Sequence, residues 1–430
     1  MPDFLRVFAI FVLMLLLIWR KVGIGYVLLI GAVAVGLAFG EGPQELLRNL
    51  WRATVEQRTI AILVLVLLIT FLGRLLKHTE NLRVMVESLE GLFRDRRAVM
   101  AGAASLIGLM PMPGGAMLSA PLVGEVADRL EVSPERKTLI NYWFRHVWEY
   151  TFPLYPGIIL SAAIMHVPLL AVSAANLPLT AVAIIVGTVL CFRQIGGELR
   201  LSAGDLTRSQ NARRLGQCLW PILVVVVSAL LLKYGLPLLG TKLGTRQGDF
   251  EMLLVLPLVA VNAILLSRHK VGRQTLKMIA KDCGPGELCV LVIGIMVFGR
   301  MFEWSGAAEG MARSLQGAAI PVPVVVAVLP FLVGILTGYT AAVIGTSFPL
   351  LLPLMQTAGG QTILAYVMLG YGCGFVGVLL SPVHLCLVLS KDYFKADLGG
   401  VYRLLVAPCM CVLAAAWVEW GALALGGLAR

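Results

Sequence analysis

The sequence predicts an all-α polytopic membrane protein with about ten transmembrane helices and two re-entrant helical hairpins, arranged as two inverted repeats. Three observations predict this class. Apolar residues make up 59% of the 430 residues and charged residues only 14%, whereas a soluble domain carries roughly 25% charged residues. Apolar runs of about 20 residues, the length that crosses a bilayer core, recur along the chain. Two further apolar runs are interrupted near their middles. The composition therefore excludes a set of soluble domains.

Ten apolar runs predict transmembrane helices. The first begins next to Asp3, ends before Arg20 and is not followed by a small-residue cleavage site. We therefore expect it to be a retained transmembrane helix and not a signal peptide. The predicted spans are residues 4–19, 22–39, 59–76, 139–166, 168–192, 216–235, 250–267, 286–302, 362–390 and 404–426.

Two more apolar stretches, 98–130 and 321–356, are broken by proline, glycine and small polar residues. The first break is Pro111–Gly115, and the second is Thr337–Thr340, followed by residues 345–347. Each half is about 12–16 residues long, too short to span a bilayer, so we expect re-entrant hairpins. Non-helical backbone survives at membrane depth only where protein buries it or where it lines a cavity. Both tips are therefore expected to face one cavity.

The basic residues predict the orientation. If Arg20 and Lys21 are cytoplasmic, 24 Lys and Arg residues lie on the cytoplasmic side and 10 on the opposite side, with Arg145 left inside a span. This asymmetry follows the positive-inside rule and places both termini outside a prokaryotic cytoplasmic (inner) membrane. Basic loops also explain the net charge of +11, so we expect membrane lipid and no nucleic acid as a partner.

The two halves of the chain resemble each other at a shift of about 226 residues. Gly108 and the two residues after it match Gly334 and its successors, and Pro156 falls on Pro382. Each half then holds five spans and one hairpin, and an odd number of spans inverts the second half. Chance similarity between apolar stretches is the alternative. The predicted units are repeat 1–192, a cytoplasmic linker 193–215 and repeat 216–430.

Inverted repeats with broken helices are typical of secondary transporters, whose sites lie where the repeats meet. A helix that starts at a hairpin tip directs free N–H groups and the positive end of its dipole toward an anion. Small residues that only permit tight helix packing are the alternative interpretation. The candidate substrate-binding residues are Pro113, Gly114, Gly115, Ser119, Arg145, Glu149, Thr340, Thr346, Ser347 and Ser381.

Ionisable side chains inside the membrane are costly, by roughly 3 kcal/mol on insertion scales, and are usually functional. Arg145 and Glu149 are four residues apart in one span, so they either bind substrate or only neutralise each other. His146, Glu149 and His384 are the candidates for coupling to an ion. A plain hydrogen bond between helices is the alternative for both histidines.

Other residues are assigned no chemical role. Arg74 and Arg300 are interpreted as interfacial anchors, with Glu303 as the partner of Arg300. The eight cysteines show no paired spacing, so we expect neither disulfides nor a metal site. There is no HExxH, Walker A or GxSxG motif. We therefore expect no catalytic residues, no cofactor and no enzymatic activity.

The pattern of a hairpin followed by a broken span, repeated in inverted order, resembles the ion transporter superfamily of divalent-anion, citrate and gluconate symporters. Residues Ala101–Pro121 and Asn141–Gly157 resemble the domain-of-unknown-function 401 family, a resemblance that covers roughly residues 20–426. The resemblance implies a homodimer, a scaffold part and a moving part, elevator-like alternating access and cation coupling. Sodium-coupled carboxylate members carry Ser-Asn-Thr at both tips. Asparagine is absent from both tips here, so their ligands do not transfer.

The expected function is secondary active transport of a small, anionic solute, coupled to H⁺ or Na⁺. Two alternatives stay open. One is a cation/proton exchanger on the same architecture that uses Glu149 and His146. The other, less favoured because few acidic residues and histidines lie in the spans, is a membrane-embedded enzyme that acts on lipid-linked substrates.

Overall fold

The computed structural model describes residues 3–78, 81–93, 95–112, 114–193, 195, 206–238, 240, 249–316, 321–356 and 360–428. Its regular elements are α-helices throughout these ranges. They are α1 Asp3–Trp19, α2 Ile24–Ala38, α3 Pro43–Val55, α4 Gln57–His78, α5 Asn81–Leu92, α6 Arg96–Gly108, α7 Ala116–Asp128, α8 Pro134–His146, α9 Pro156–Ile164, α10 Leu169–Ala175, α11 Leu177–Cys191, α12 Arg208–Leu238, α13 Asp249–Arg268, α14 Arg273–Asp282, α15 Pro285–Trp304, α16 Ala307–Gln316, α17 Val322–Thr337, α18 Thr340–Gln356, α19 Gly360–Leu379, α20 Leu385–Phe394 and α21 Leu398–Leu428.

The polytopic all-α class is confirmed. Within the described ranges, six helical segments are long and apolar enough to cross a membrane. Several other predicted spans correspond to shorter apolar helices or to pairs of helices separated by a break. The six segments are Gln57–His78, Leu169–Cys191, Arg208–Leu238, Phe250–Arg268, Arg273–Trp304 and Leu398–Ala424.

Both predicted hairpins are present, since α6 packs against α7 and α17 packs against α18. Each hairpin turns at a glycine in the left-handed region, Gly114 with φ of 73° and Gly338 with φ of 61°, a conformation that other residues rarely adopt. The second turn is only Gly338-Tyr339. Thr346 and Ser347 lie inside α18, so the predicted extension of this break to residues 345–347 is wrong. Helical hydrogen bonding simply continues through them.

Two of the predicted spans, 139–166 and 362–390, are also broken. α8 ends at His146 and the chain resumes as a helix only at Pro156, which begins α9. α19 ends at Leu379, and α20 begins at Leu385. Proline at the first helical position removes a donor that would lack a partner anyway, so Pro156 marks the restart of the helix after the break. Each break therefore places backbone that is not part of a helix close to the neighbouring hairpin.

The packing of the halves is reciprocal. α2 packs on α15 as α13 packs on α4, and α9 packs on α18 as α20 packs on α7. Gly108 and Gly334, matched by the 226-residue shift, make the same close approach: a Cβ atom would lie 2.4 Å from the Arg145 carbonyl oxygen and 2.3 Å from that of Gly374. These contacts support the repeat. The inversion relative to the membrane stays a prediction.

Two features of the helical order were not predicted. α3 and α16 are amphipathic helices outside the six apolar segments, and α14 is an amphipathic helix at the start of the segment Arg273–Trp304. They do not stand out as apolar runs because each has a polar face. In addition, α12 begins at Arg208, so residues 208–215 of the predicted linker are helical. Residues 194 and 196–205 of that linker lie outside the described residues.

Candidate functional site

A cavity of about 180 Å³ lies where the two hairpin tips and the two broken helices meet. Met112 and Gly114 come from the first tip, and Gly338 and Thr340 from the second. The far wall is formed by α4 and α15, helices of opposite repeats. We call this space the central cavity. Its walls therefore combine non-helical backbone from both halves with continuous helices.

Arg145 is a charged side chain that is deeply buried, with 2% of its surface exposed. Its guanidinium donates to the carbonyl oxygens of Met112 at 3.0 Å and Met110 at 3.4 Å, and to the Tyr155 hydroxyl at 3.1 Å. The hydroxyl of Tyr155 in turn donates to the carbonyl of Gly108. Arg145 thus fixes the irregular backbone of the first tip, whose free carbonyls would otherwise be buried without donors.

Glu149 is the acidic residue of the central cavity. One carboxylate oxygen lies 3.8 Å from Arg145 Nη1 and 3.8 Å from His146 Nε2. The Thr340 side chain, at the start of α18, faces the same carboxylate. Tyr371 donates its hydroxyl hydrogen to the Glu149 carbonyl at 2.6 Å. The turn after α8 is therefore held by the second repeat while its carboxylate faces the cavity.

The two histidines of the central cavity contact each other. His146 Nε2 and His384 Nε2 are 3.2 Å apart, and both side chains are buried. His146 Nδ1 lies 2.6 Å from the Tyr142 carbonyl oxygen. Because a carbonyl only accepts hydrogen bonds, Nδ1 carries the hydrogen and Nε2 presents its lone pair to His384. Residues that are 238 positions apart in the sequence thus share one contact.

Arg74 lines the central cavity from α4, and its Nε is buried without a hydrogen-bond partner. Among the described residues it has no acidic partner. Arg300, its counterpart in the second repeat, is paired with Glu56 through two bonds of 2.6 and 2.7 Å and with Glu303 at 2.9 Å. The expectation that both arginines are interfacial anchors stays a prediction, and Arg74 in addition faces the central cavity. The predicted pairing of Arg300 with Glu303 is observed.

The structure separates the predicted site residues into two groups. Six residues line the central cavity: Gly114, Arg145, His146, Glu149, Thr340 and His384. Gly115 lies behind the wall, where an added Cβ atom would come within 2.7 Å of Arg145 Nε. Pro113 lies outside the described residues.

Four predicted hydroxyl residues are not part of the cavity wall. Each donates its hydrogen to a backbone carbonyl: Ser119 to Ala116, Thr346 to Ala342, Ser347 to Val343 and Ser381 to Ile335. Ser119, Thr346 and Ser347 bond within their own helices, as small hydroxyl side chains often do, whereas Ser381 lies in the break before α20 and bonds to a carbonyl of α17. The position of these residues near a break in the sequence therefore did not predict whether their side chains face the cavity.

The wall residues that were not predicted as site residues include four with a charged, phenolic or thiol group: Arg74, Tyr155, Tyr371 and Cys386. The position of Arg74 was a reason to consider it as a site residue, because an arginine at the end of a long apolar run costs free energy in a membrane and is usually functional. Nothing in the sequence distinguishes the two tyrosines or Cys386 from other residues of apolar segments, because only the folded structure brings them to the cavity.

Residues 3–423 match the family described as "Protein of unknown function (DUF401)". The match spans almost the whole chain. The chain belongs to the DUF401 family. The comparison with curated proteins found no match, so for this DUF401 protein no activity is transferred from a relative.

Two solved structures share the fold of this DUF401 protein. The Alcanivorax borkumensis YdaH transporter has 15% sequence identity and a TM-score of 0.61, covering 89% of this chain and 88% of its own. Neisseria gonorrhoeae MtrF, described with a class of antimetabolite efflux pumps, has 14% identity and a TM-score of 0.50, covering 88% and 82%. At these identities the likeness shows the fold.

Proposed function

We propose that this DUF401 protein is a secondary active transporter that moves a small, anionic solute through the central cavity. The observation that carries the proposal is the charge of the wall. Among the described residues, the charged groups of the cavity wall are Arg74, Arg145 and Glu149, and Arg74 has no acidic partner. An excess of positive charge in a low-dielectric cavity favours an anion, as do the N-termini of α7 and α18.

The position of the cavity supports alternating access. Both hairpins and both broken helices pack on one another, and this group meets α4 and α15 across the cavity. We infer that the group moves as a unit against α4 and α15, as in an elevator. The fold is shared with two solved proteins named as a transporter and an efflux pump, which supports transport in general.

Three further properties belong to the proposal. The driving force is a gradient of H⁺ or Na⁺, since the chain carries no Walker A motif. The protein acts as a homodimer in a prokaryotic inner membrane, with both termini outside. Cysteines introduced at either terminus and labelled from outside the cell test this orientation.

The test uses purified protein in proteoliposomes and uptake of radiolabelled succinate, citrate, sulfate and phosphate under an imposed pH or sodium gradient. We expect one gradient to drive uptake of at least one of these anions. Arg74→Gln should raise the half-saturating concentration about 10- to 100-fold, because a hydrogen bond to a charged group contributes about 1.5–3 kcal/mol.

Arg300→Gln is the matched control. It removes the equivalent charge of the second repeat, which Glu56 and Glu303 already neutralise, so the half-saturating concentration should stay within about twofold of the wild-type value, a difference of under ~0.5 kcal/mol. Equal effects of the two substitutions would remove Arg74 from the site. If neither gradient drives uptake of any of these anions, secondary anion transport is wrong.

A cation/proton exchanger is the second candidate. It is favoured by the chain of titratable groups in which Glu149 lies 3.8 Å from His146 Nε2, and His146 lies 3.2 Å from His384. Under exchange, Glu149→Gln should alter the pH dependence of cation flux. Under anion transport the same substitution need only change the affinity for the anion, and no cation flux without the anion is expected.

A further inference from the structure

Three soft ligands come together on one wall of the central cavity. They are His146 at the end of α8, His384 just before α20 and Cys386 in the first turn of α20. One ligand atom from each lies within 4.8 Å of the others, and all three side chains are buried. The sequence predicted no metal site, because His146 is separated from the other two by more than 230 residues and no short spacing exists.

The distance between the imidazoles suits a metal. Zinc binds imidazole nitrogen at about 2.0–2.1 Å in tetrahedral geometry, so two such nitrogens lie about 3.4 Å apart. The Nε2 atoms of His146 and His384 are 3.2 Å apart. A small adjustment of either ring would therefore bring both nitrogens to bonding distance from one ion.

The tautomer of His146 is already that of a metal ligand. Its Nδ1–H donates to the Tyr142 carbonyl at 2.6 Å, which leaves the Nε2 lone pair free. Metal-binding histidines almost always donate the second ring N–H to a carbonyl or carboxylate in this manner, which fixes both ring orientation and tautomer.

His384 gives the second argument. Its Nδ1 is buried and makes no hydrogen bond of good geometry among the described residues, although the backbone of Gly338 lies close to this histidine. If His384 only donated Nε2–H to His146, Nδ1 would be left as a buried acceptor without a donor, which is unfavourable. With a metal on Nε2 the hydrogen moves to Nδ1, and the backbone of Gly338, which interacts with this histidine, offers a carbonyl oxygen as acceptor.

The remaining ligands set the metal class. A sulfur and two imidazoles select Zn²⁺ and its neighbours in the first transition row over Mg²⁺ and Ca²⁺, which prefer oxygen. Backbone N–H groups of Gly114 and Ala116 interact with the Cys386 sulfur and would stabilise a metal-bound thiolate. Glu149 lies beside His146. The thiolate and this carboxylate supply two negative charges, which balance the charge of a divalent ion and leave the single positive charge of Arg145.

We propose that His146 Nε2, His384 Nε2 and Cys386 Sγ bind a transition-metal ion of the zinc class, with the fourth position directed toward Glu149 and the central cavity. The proposal goes beyond anion transport and does not depend on it, because metal binding is measured directly on the purified chain.

The test is titration of the full-length protein, purified in detergent and treated with chelator, with Co²⁺, followed by displacement with Zn²⁺. We expect one Co²⁺ per chain and a near-ultraviolet charge-transfer band, which reports a cobalt–thiolate bond. Cys386→Ser should abolish this band and weaken binding at least tenfold. His384→Gln should weaken binding at least tenfold while Cys386 still contributes the band at saturating Co²⁺.

Cys373→Ser is the matched control, since Cys373 is a free buried cysteine in α19, outside this cluster. It should bind Co²⁺ as the wild type does. Size-exclusion elution verifies folding, and His146→Asn replaces any variant that fails to fold. The proposal is overturned if the wild type binds no Co²⁺ or Zn²⁺ at stoichiometric concentration, or if its spectrum persists in Cys386→Ser.

Discussion

Replacing Arg145 by Met tests whether the buried arginine and glutamate neutralise each other. Methionine keeps most of the length of the side chain and removes the charge. The substitution deletes the donors to the carbonyls of Met110 and Met112 and to the Tyr155 hydroxyl. It also leaves the Glu149 carboxylate, 12% exposed, without its cation at 3.8 Å.

The magnitude follows from these contacts. Removing one partner of a buried ion pair costs about 3–5 kcal/mol, and the lost charge-assisted hydrogen bonds overlap with this figure because one guanidinium makes them all. We expect Arg145→Met to lower the free energy of unfolding by about 3–5 kcal/mol. In the double variant with Glu149→Gln no uncompensated carboxylate remains, so the coupling energy between the two substitutions should be about 1–3 kcal/mol.

Equilibrium unfolding in mixed detergent micelles, followed by tryptophan fluorescence, measures the four free energies of this double-mutant cycle. Arg145→Lys is the control that keeps the charge and loses the planar fork. A coupling energy below about 0.5 kcal/mol, the limit of ordinary additivity, would refute the reasoning. Both charges would then be independent and available to a ligand.

Two further predictions concern helix packing and access to the cavity. Gly377→Ala should lower the free energy of unfolding by about 1–3 kcal/mol, because its Cβ atom would lie 2.2 Å from the Phe331 carbonyl oxygen. Gly216→Ala is the control and should leave this free energy unchanged, because no atom lies within 4 Å of its Cβ position. Equal losses of free energy in the two variants would contradict the close contact between α17 and α19. In a cysteine-free background, a membrane-impermeant maleimide should label Tyr339→Cys, because the second tip is exposed at this residue. It should not label Thr346→Cys, because Thr346 is buried inside α18. Labelling of both variants would show that water reaches the inner face of α18.

The fold was largely predictable because its signals are local. Proline and glycine interrupt the apolar runs at Pro111–Gly115 and Thr337–Thr340, and the structure turns at both. The length of each uninterrupted apolar run then distinguishes a helix of a hairpin from a membrane span. The amphipathic helices, such as α3 at Pro43–Val55, escaped because hydropathy registers only runs that are apolar on every side.

The site was predictable only where a residue was unusual in its own segment. Arg145, His146 and Glu149 stand out as ionisable groups inside a span, and all three line the cavity. Thr346 resembles a site residue in sequence, but its hydroxyl bonds to its own helix. Cys386 resembles any apolar membrane residue. Which of these faces the cavity depends on packing between repeats, and one segment alone does not encode that.

The surroundings of the two matched arginines differ between the halves of the chain. Under the 226-residue shift Arg74 corresponds to Arg300, but Glu303, the partner of Arg300, corresponds to Lys77. The counterpart of Glu56 is Asp282, which pairs with His78 at 3.7 Å. Of the two matched arginines, one is therefore neutralised by acidic partners and the other faces the central cavity. If the cavity binds an anion as we propose, this difference in charge between the two halves accounts for a single binding wall.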